Sequence, residues 1–323
     1  SDQVRIAKQL GYADVSRLRA VEHFMKRHYA LVRHVHQVVE LTISRLRAQG
    51  HLGRKPIFIR SRKRIDAEFA AVEGLVYRAP GQEFWKGADA PARILAVARR
   101  AQREGWRLSL ELQRDIAANL AVVTDEVRRD PALGRQFLEI LGDTGRIHPI
   151  LHDLHAAGFL GAYLPEFGNL TCHMQFDSYH QYTVDEHTLL AVHHLDQVAL
   201  GKLPGLPAMA RLFPTVQRKD LLALGLLLHD MGKYMGRGHV ARGALMVAGV
   251  AERLGLTRDE EDLLYFLVDR HVALSDASRM RNFREPSFLG PFAERIGSVA
   301  QLDALYCLTY CDAKAVGEGV LTG

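Results

Sequence analysis

The sequence predicts an all-α fold, mainly a helical bundle, with a small β-containing insertion in its N-terminal third. Three observations carry this expectation. Apolar residues recur at three- and four-residue spacing through most of the 323 residues, which is the period of helices that bury one face. Residues 54–85 depart from that spacing: Ile57-Phe58-Ile59 and Ile65–Val76 have β-like character, with Glu73-Gly74 as a turn. The composition, 48% hydrophobic and 24% charged, is that of a globular chain and excludes disorder, collagen-like repeats and a disulfide-dense scaffold.

The elements follow in order. Residues 16–49 keep helical spacing at Val21, Phe24, Met25, Leu31, Val35, Val38, Val39, Leu41, Ile43 and Leu46, and Gly50 and Gly53 end the run. His28, His34 and His36 lie on it as surface or interface histidines. Arg54, Lys55, Arg60, Arg62, Lys63 and Arg64 then form a basic segment. It reads either as a solvated loop or as a surface for an acidic partner or a nucleotide phosphate, and it lacks the interleaved aromatics that stack single-stranded bases. Helical pattern resumes over Pro91–Arg103, Leu110–Val127 and Pro131–Leu141. Pro91 and Pro131 suit the first position of a helix, where the missing N–H would be unpaired anyway. Residues 145–160 form a further short helix with His148, His152 and His155 on one face, and Tyr163–Gly168 reads as a loop. Two domains are expected, residues 1–150 and 151–323.

The net charge of +5 hides a split. Residues 1–110 carry a net +12 and residues 111–323 a net −7, and 11 of the 16 histidines fall from His148 to His271. An acidic, histidine-rich segment suits metal ions better than a phosphate backbone, so nucleic acid is not the expected partner. Cys172, Cys307 and Cys311 are too few for a disulfide framework and read as reduced residues of a cytoplasmic protein, with Cys307 and Cys311 on one packed helix face. No signal core opens the chain, and the longest apolar run, Leu221–Leu228, is too short to span a bilayer. The missing initiator Met and the end at Gly323 suggest a piece of a longer protein.

The chemistry sits in the acidic part. Leu221–Leu228 is apolar on nearly all sides and ends in His229-Asp230. A buried helix with that ending must satisfy two polar groups away from water, and a divalent metal does so, because imidazole and carboxylate are ordinary ligands. Upstream, Thr183 and Glu186 have capping-box spacing, with Asp185 as an alternative cap, and place His187 in the first turn of an apolar helix. Downstream, a loop with Gly232, Gly236 and Gly238 leads to a helix over His239–Leu254, whose positive N-terminal end lies near the candidates. Another apolar helix ends in His271, and Asp312 interrupts the apolar helix Ala304–Ala315. Five helices thus each present a histidine or aspartate at an end or on a buried face, a coincidence that packing explains poorly.

The order His187, His229-Asp230, His239, His271, Asp312 resembles the HD superfamily of metal-dependent phosphohydrolases. The resemblance implies an HD-type helical bundle over residues 183–315. It implies one ion on His187, His229, Asp230 and Asp312, and a second ion on His239 and His271 bridged by Asp230. Leu164-Pro165-Glu166-Phe167, Met174-Gln175 and Tyr182–Leu189 narrow it further, as do Leu138–Leu141, Arg64-Ile65-Asp66, Gly11-Tyr12 and Ala20-Val21-Glu22. These are similar to the HD region and preceding helices of the bacterial uridylyltransferase/uridylyl-removing family. One departure is Met231-Gly232-Lys233-Tyr234, where Ile-Ala-Lys-Gly is expected. No Gly-Ser turn followed by an Asp-x-Asp pair is present, so no nucleotidyltransferase centre is expected, nor are the glutamine-sensing ACT domains of that family expected within these 323 residues.

The resemblance implies hydrolysis of a uridylylated PII signalling protein to release UMP. One or two divalent ions are expected, Mn2+ or Mg2+ first, with Fe or Zn as alternatives. Asp230 would bridge the ions and orient the nucleophile, and Lys233 would act as a point charge on the phosphate. His193 and His194 are candidates for outer positions. Alternatives are a phosphohydrolase acting on a small free nucleotide and a non-catalytic, partner-binding fragment.

Overall fold

The computed structural model describes residues 2–15, 19–48, 62–79, 81, 83–174, 182–202, 207–236, 238–280 and 285–317. Gly50, Gly53, Ile57-Phe58-Ile59, Arg54, Lys55, Arg60 and Gln175 lie outside the described residues. The longer helices are α1 (Asp2–Gln9), α2 (Ala20–Ala48), α3 (Ala90–Glu104), α4 (Leu110–Ala118), α5 (Pro131–Gly142) and α6 (Ile147–Ala156). They continue as α7 (Val184–Ala199), α8 (Lys219–Leu228), α9 (His239–Leu254), α10 (Arg258–Arg270), α11 (Pro286–Ile296) and α12 (Val299–Val316). The chain is mainly helical with a small β insertion, as its apolar spacing predicts.

The insertion is a four-stranded sheet in the order β1 (Arg62–Arg64), β2 (Phe69–Val72), β3 (Leu75–Arg78), β4 (Arg107–Leu108). The first three strands are antiparallel neighbours, and β4 returns parallel to β3 after α3. Glu73 and Gly74 form the two-residue turn, with φ of 52° and 77°. Positive φ at both positions is what a tight hairpin of this twist needs.

One apolar core extends from Phe69 in the sheet to Ala315 in α12. At its centre lies α8, packed by α5, α7, α10 and α12. All six leucines of Leu221–Leu228 are 0% exposed, which accounts for a helix apolar on every side. Gly225 allows the close approach: a side chain there would begin 3.1 Å from Leu267 Cδ1. Residue 150 falls within α6, which packs against α3 and α7. A division at 150/151 therefore stays a proposal about folding units, open to test by limited proteolysis. Helices α1 and α2 have a separate small cluster of Ala7, Val21 and Met25.

Three expectations need correction. The helix expected over Leu110–Val127 is broken: α4 ends at Ala118, a 3-10 turn covers Leu120–Val122, and Asp125–Arg128 forms a short helix. Asn119 Nδ2 donates to the Asp115 carbonyl at 2.8 Å, while Thr124 caps the next segment by accepting from Val127 N–H. A local side-chain bond and a β-branched Val122-Val123-Thr124 run both oppose continuation. Tyr163–Gly168 is not loop, because short helices cover Phe159–Tyr163 and Pro165–Gly168. Pro91 takes the second position of α3, one after Ala90, whereas Pro131 does open α5 behind an Asp130 cap. Cys307 and Cys311 are both buried on α12. Among the described residues no helix is long and apolar enough to cross a membrane.

Candidate metal centre

His187, His229, Asp230, His239, His271 and Asp312 come from α7, the end of α8, the start of α9, the end of α10 and α12, and they meet at one place. His187 occupies the first turn of α7, behind Thr183. The expected Thr183–Glu186 capping box is not formed: Thr183 makes no cap bond, and Glu186 is exposed. A capping box of that spacing does form in α10, between Thr257 and Glu260.

His229 and His271 each follow the last residue of a buried helix. Their Nδ1–H groups donate to the carbonyls of Leu226 (2.8 Å) and Val268 (2.7 Å). This fixes the tautomer and turns each Nε2 inward, as outer bonds do for metal-binding histidines. His229 Nε2 lies 3.2 Å from Asp230 Oδ2 and 3.4 Å from Asp312 Oδ1. His187 Nε2 lies 2.9 Å from Asp312 Oδ1 and 3.9 Å from Asp230 Oδ2. On the other carboxylate oxygen, His239 Nε2 is 3.7 Å and His271 Nε2 3.9 Å from Asp230 Oδ1.

Asp230 therefore belongs to two triads, one with His187 and His229 and one with His239 and His271, each able to hold a metal ion. Its two oxygens face different triads. Asp312 joins the first through His187 and His229. His229 Nε2 is buried without an aligned hydrogen bond, which fits a metal-ligand atom.

The turn after Asp230 depends on Gly232. A Cβ there would overlap the His239 carbonyl oxygen and sit 2.8 Å from Gly243 N. The turn and the start of α9 are thus in backbone contact, and this contact holds His239 beside Asp230. The same turn brings Lys233 Nζ to 2.7 Å from Asp230 Oδ2.

The electrostatics follow from burial and proximity. Burial opposes charge on His229, but the Asp230 and Asp312 carboxylates overcome it and raise its pKa to about 10. Burial also disfavours ionised Asp230, yet Lys233 and then His229 hold it well below the usual carboxylate range. Asp312 behaves likewise through His229 and His187. Burial, then the charge on His229, pushes His271 down to about 4, and burial lowers His239. In the metal-free cluster the proton rests on His229 while His239 and His271 are held toward the neutral form, a coupled system rather than separate sites.

Other candidates fall elsewhere. The His193 ring packs on His148 at 4.9 Å between centroids, and the His194 ring lies beside His193. His155, expected as surface or packing, is buried, with Nε2 3.1 Å from Asp185 Oδ2. Asp185 is not a helix cap. It accepts from Cys172 N–H at 3.0 Å and lies 3.7 Å from an Arg33 guanidinium nitrogen. Sequence reading missed this assembly, although a carboxylate two residues before a buried His187 is a usable signal. His155, Asp185 and Glu186 could geometrically hold an ion, but Arg33 already supplies a cation there.

No family model matches the chain. It is 33% identical over 330 residues to the bifunctional uridylyltransferase/uridylyl-removing enzyme of Caulobacter vibrioides, aligning 99% of this chain with 35% of that protein. It is 35% identical over 324 residues to the enzyme of the same name from Cereibacter sphaeroides, covering 98% of this chain and 34% of that one. For the Azospirillum brasilense protein the figures are 32% over 325 residues, with 98% and 34% covered. The chain spans about a third of the length of these curated relatives. Along almost its entire length, this chain is thus related to a segment of the bifunctional uridylyltransferase/uridylyl-removing enzymes.

Proposed function

We propose that the cluster around Asp230 is a divalent-metal phosphodiesterase site that removes UMP from a uridylylated protein, the PII signalling protein that the sequence resemblance implies. The observation that carries this reading is the approach of four imidazole Nε2 atoms to the two oxygens of one buried carboxylate. The words "uridylyl-removing" in the relatives' name support it over a small free nucleotide. Imidazole nitrogen with carboxylate oxygen suits Mn2+, Fe or Zn, and Mg2+ less well because it favours oxygen.

A divalent cation held here supplies Lewis acidity toward phosphoryl oxygens and lowers the pKa of a water toward neutrality. His187, His229, Asp230 and Asp312 would hold one ion, and Asp230, His239 and His271 a second. Leu226 and Val268 keep the His229 and His271 rings oriented, so little reorganisation accompanies loading. Lys233 sets a point charge where a phosphoryl oxygen gains negative charge. The positive end of α9 adds to that field. The resemblance implies that the UMP is carried on a tyrosine, so in the reaction a water oxygen–phosphorus bond would form and the phosphorus–tyrosyl oxygen bond would break. The tyrosyl oxygen leaves readily because its pKa is near 10, and it ends protonated.

The test is UMP release from uridylylated PII by the chain after chelation and dialysis. The rate should vanish with the metal and return with Mn2+. Metal-free protein that hydrolyses at the full rate would overturn the reading.

A further inference from the structure

Helix α2 meets the rest of the chain along a polar seam. Its apolar cluster is separate from the main core. Lys26 Nζ donates to the Asn169 carbonyl at 3.3 Å, Arg33 Nη2 to the His155 carbonyl at 2.6 Å, and Gln37 Nε2 to the Ala156 carbonyl at 3.1 Å. The last two acceptors are at the C-terminal end of α6, where helix carbonyls need outside donors.

One contact of the seam goes deeper. Arg33 Nη1 lies 2.8 Å from His155 Nε2 and 3.7 Å from Asp185 Oδ2. Asp185 is 1% exposed and is the second residue of α7. Its Oδ2 also accepts from the N–H of Cys172, a residue held at a φ of 56°. A non-glycine residue in that left-handed conformation persists only when its surroundings fix it. Two residues beyond Asp185, the same helical turn delivers His187 to the metal cluster.

We infer that Arg33 is a positioning residue for the metal centre: through His155 and Asp185 it fixes the first turn of α7, and with it the place of His187. The inference rests on reading the Asp230 cluster as a cation site. Without the guanidinium, Asp185 is a buried carboxylate that has lost its cationic partner, an arrangement costly enough to move the turn. The position of α2 is thereby coupled to the geometry of the first triad.

The test uses the full chain with Co2+ as the probe, following its visible absorption, and amide hydrogen exchange over residues 184–188. Arg33→Ala should weaken Co2+ binding several-fold, less than the roughly tenfold or more that follows loss of a group bonded directly to a ligand. It should also alter the visible band and speed exchange at 184–188. Arg33→Lys keeps the charge without the fork and should recover part of each effect, and it serves as the readout if the alanine variant does not fold. Gln37→Ala breaks the neighbouring seam bond without touching Asp185, and should leave band, affinity and exchange unchanged. Wild-type exchange at 184–188 in Arg33→Ala would overturn the inference. So would equal losses in Gln37→Ala, which would reduce Arg33 to a docking contact. A wild-type chain that binds no Co2+ would overturn the metal reading alone, and the exchange data would then decide the role of Arg33.

Discussion

Two buried histidine–carboxylate assemblies stand at neighbouring places on α7, and they differ in one respect. At Asp185 one carboxylate oxygen gathers the partners: it accepts from Cys172 N–H, and His155 Nε2 and the Arg33 guanidinium lie nearby. At Asp230 the surrounding groups are acceptors. The His229 and His271 rings spend their Nδ1 donors on backbone carbonyls, so that both Nε2 atoms face carboxylate oxygens, and in the metal-free chain the positive charge comes from Lys233 and from the proton on His229. The same residue types therefore make a closed joint in one case and a cation site in the other. Residue identity does not distinguish them. The direction of the other ring nitrogen, and whether an arginine is within reach, does.

The largest test of that contrast is Asp230→Ala. It removes the carboxylate common to both triads, and hydrolysis of uridylylated PII should fall by about a thousandfold or more, since the metal's charge stabilisation amounts to several kcal/mol. Helical content by circular dichroism should stay near wild type, because the core of α8 is untouched. An active variant would break the comparison at its centre.

A smaller effect is expected from Gly232→Ala. The added methyl overlaps the His239 carbonyl and must push the turn away from α9. Overpacking of this kind costs about 1–3 kcal/mol, readable by denaturant unfolding. Metal affinity should fall alongside, through the displaced second triad, while exchange at 184–188 stays unchanged because the Asp185 joint lies elsewhere. Loss of both regions together would mean that they form one unit.

Much of this was legible in the sequence, for reasons that are local. Gly238 and Gly255, both at positive φ, bracket α9, so its ends can be read from two residues. An all-apolar run ending in His-Asp announces a buried helix with a polar task. Glu73-Gly74 announces a hairpin. What was not legible depends on contacts distant in the chain. Thr183 and Glu186 have the spacing of a cap, and only the fold shows that this cap does not form while Asp185 faces Cys172 and Arg33. Arg33 looks like one of many basic residues in a net +12 region, and nothing local marks it as the partner of Asp185. The basic residues Arg62–Arg64 lie in edge strand β1, where Lys63 bonds Glu104 at 3.1 Å.

The smallest expected effect is a pH dependence, and it separates the two assemblies cleanly. His229 has its pKa raised to about 10 by Asp230 and Asp312 against the effect of burial, so between pH 6.5 and 8.5 the metal-free chain carries a proton on that ring. A metal ion must displace it. Apparent affinity for Mn2+ should climb by about tenfold per pH unit across that window, with one proton released per ion in the first triad. Titration calorimetry in two buffers of different ionisation enthalpy measures that release. The sign for stability is opposite. A raised native pKa means His229 stabilises the metal-free fold fully below its unfolded pKa, and this contribution fades as pH rises toward 10, by at most about 1.4 kcal/mol per unit. At the Asp185 joint the Arg33 guanidinium keeps its charge throughout that range. Affinity that is flat with pH, without proton release, would mean that the two carboxylates do not hold His229 charged, and the acceptor-rich character assigned to the Asp230 centre would fail with it.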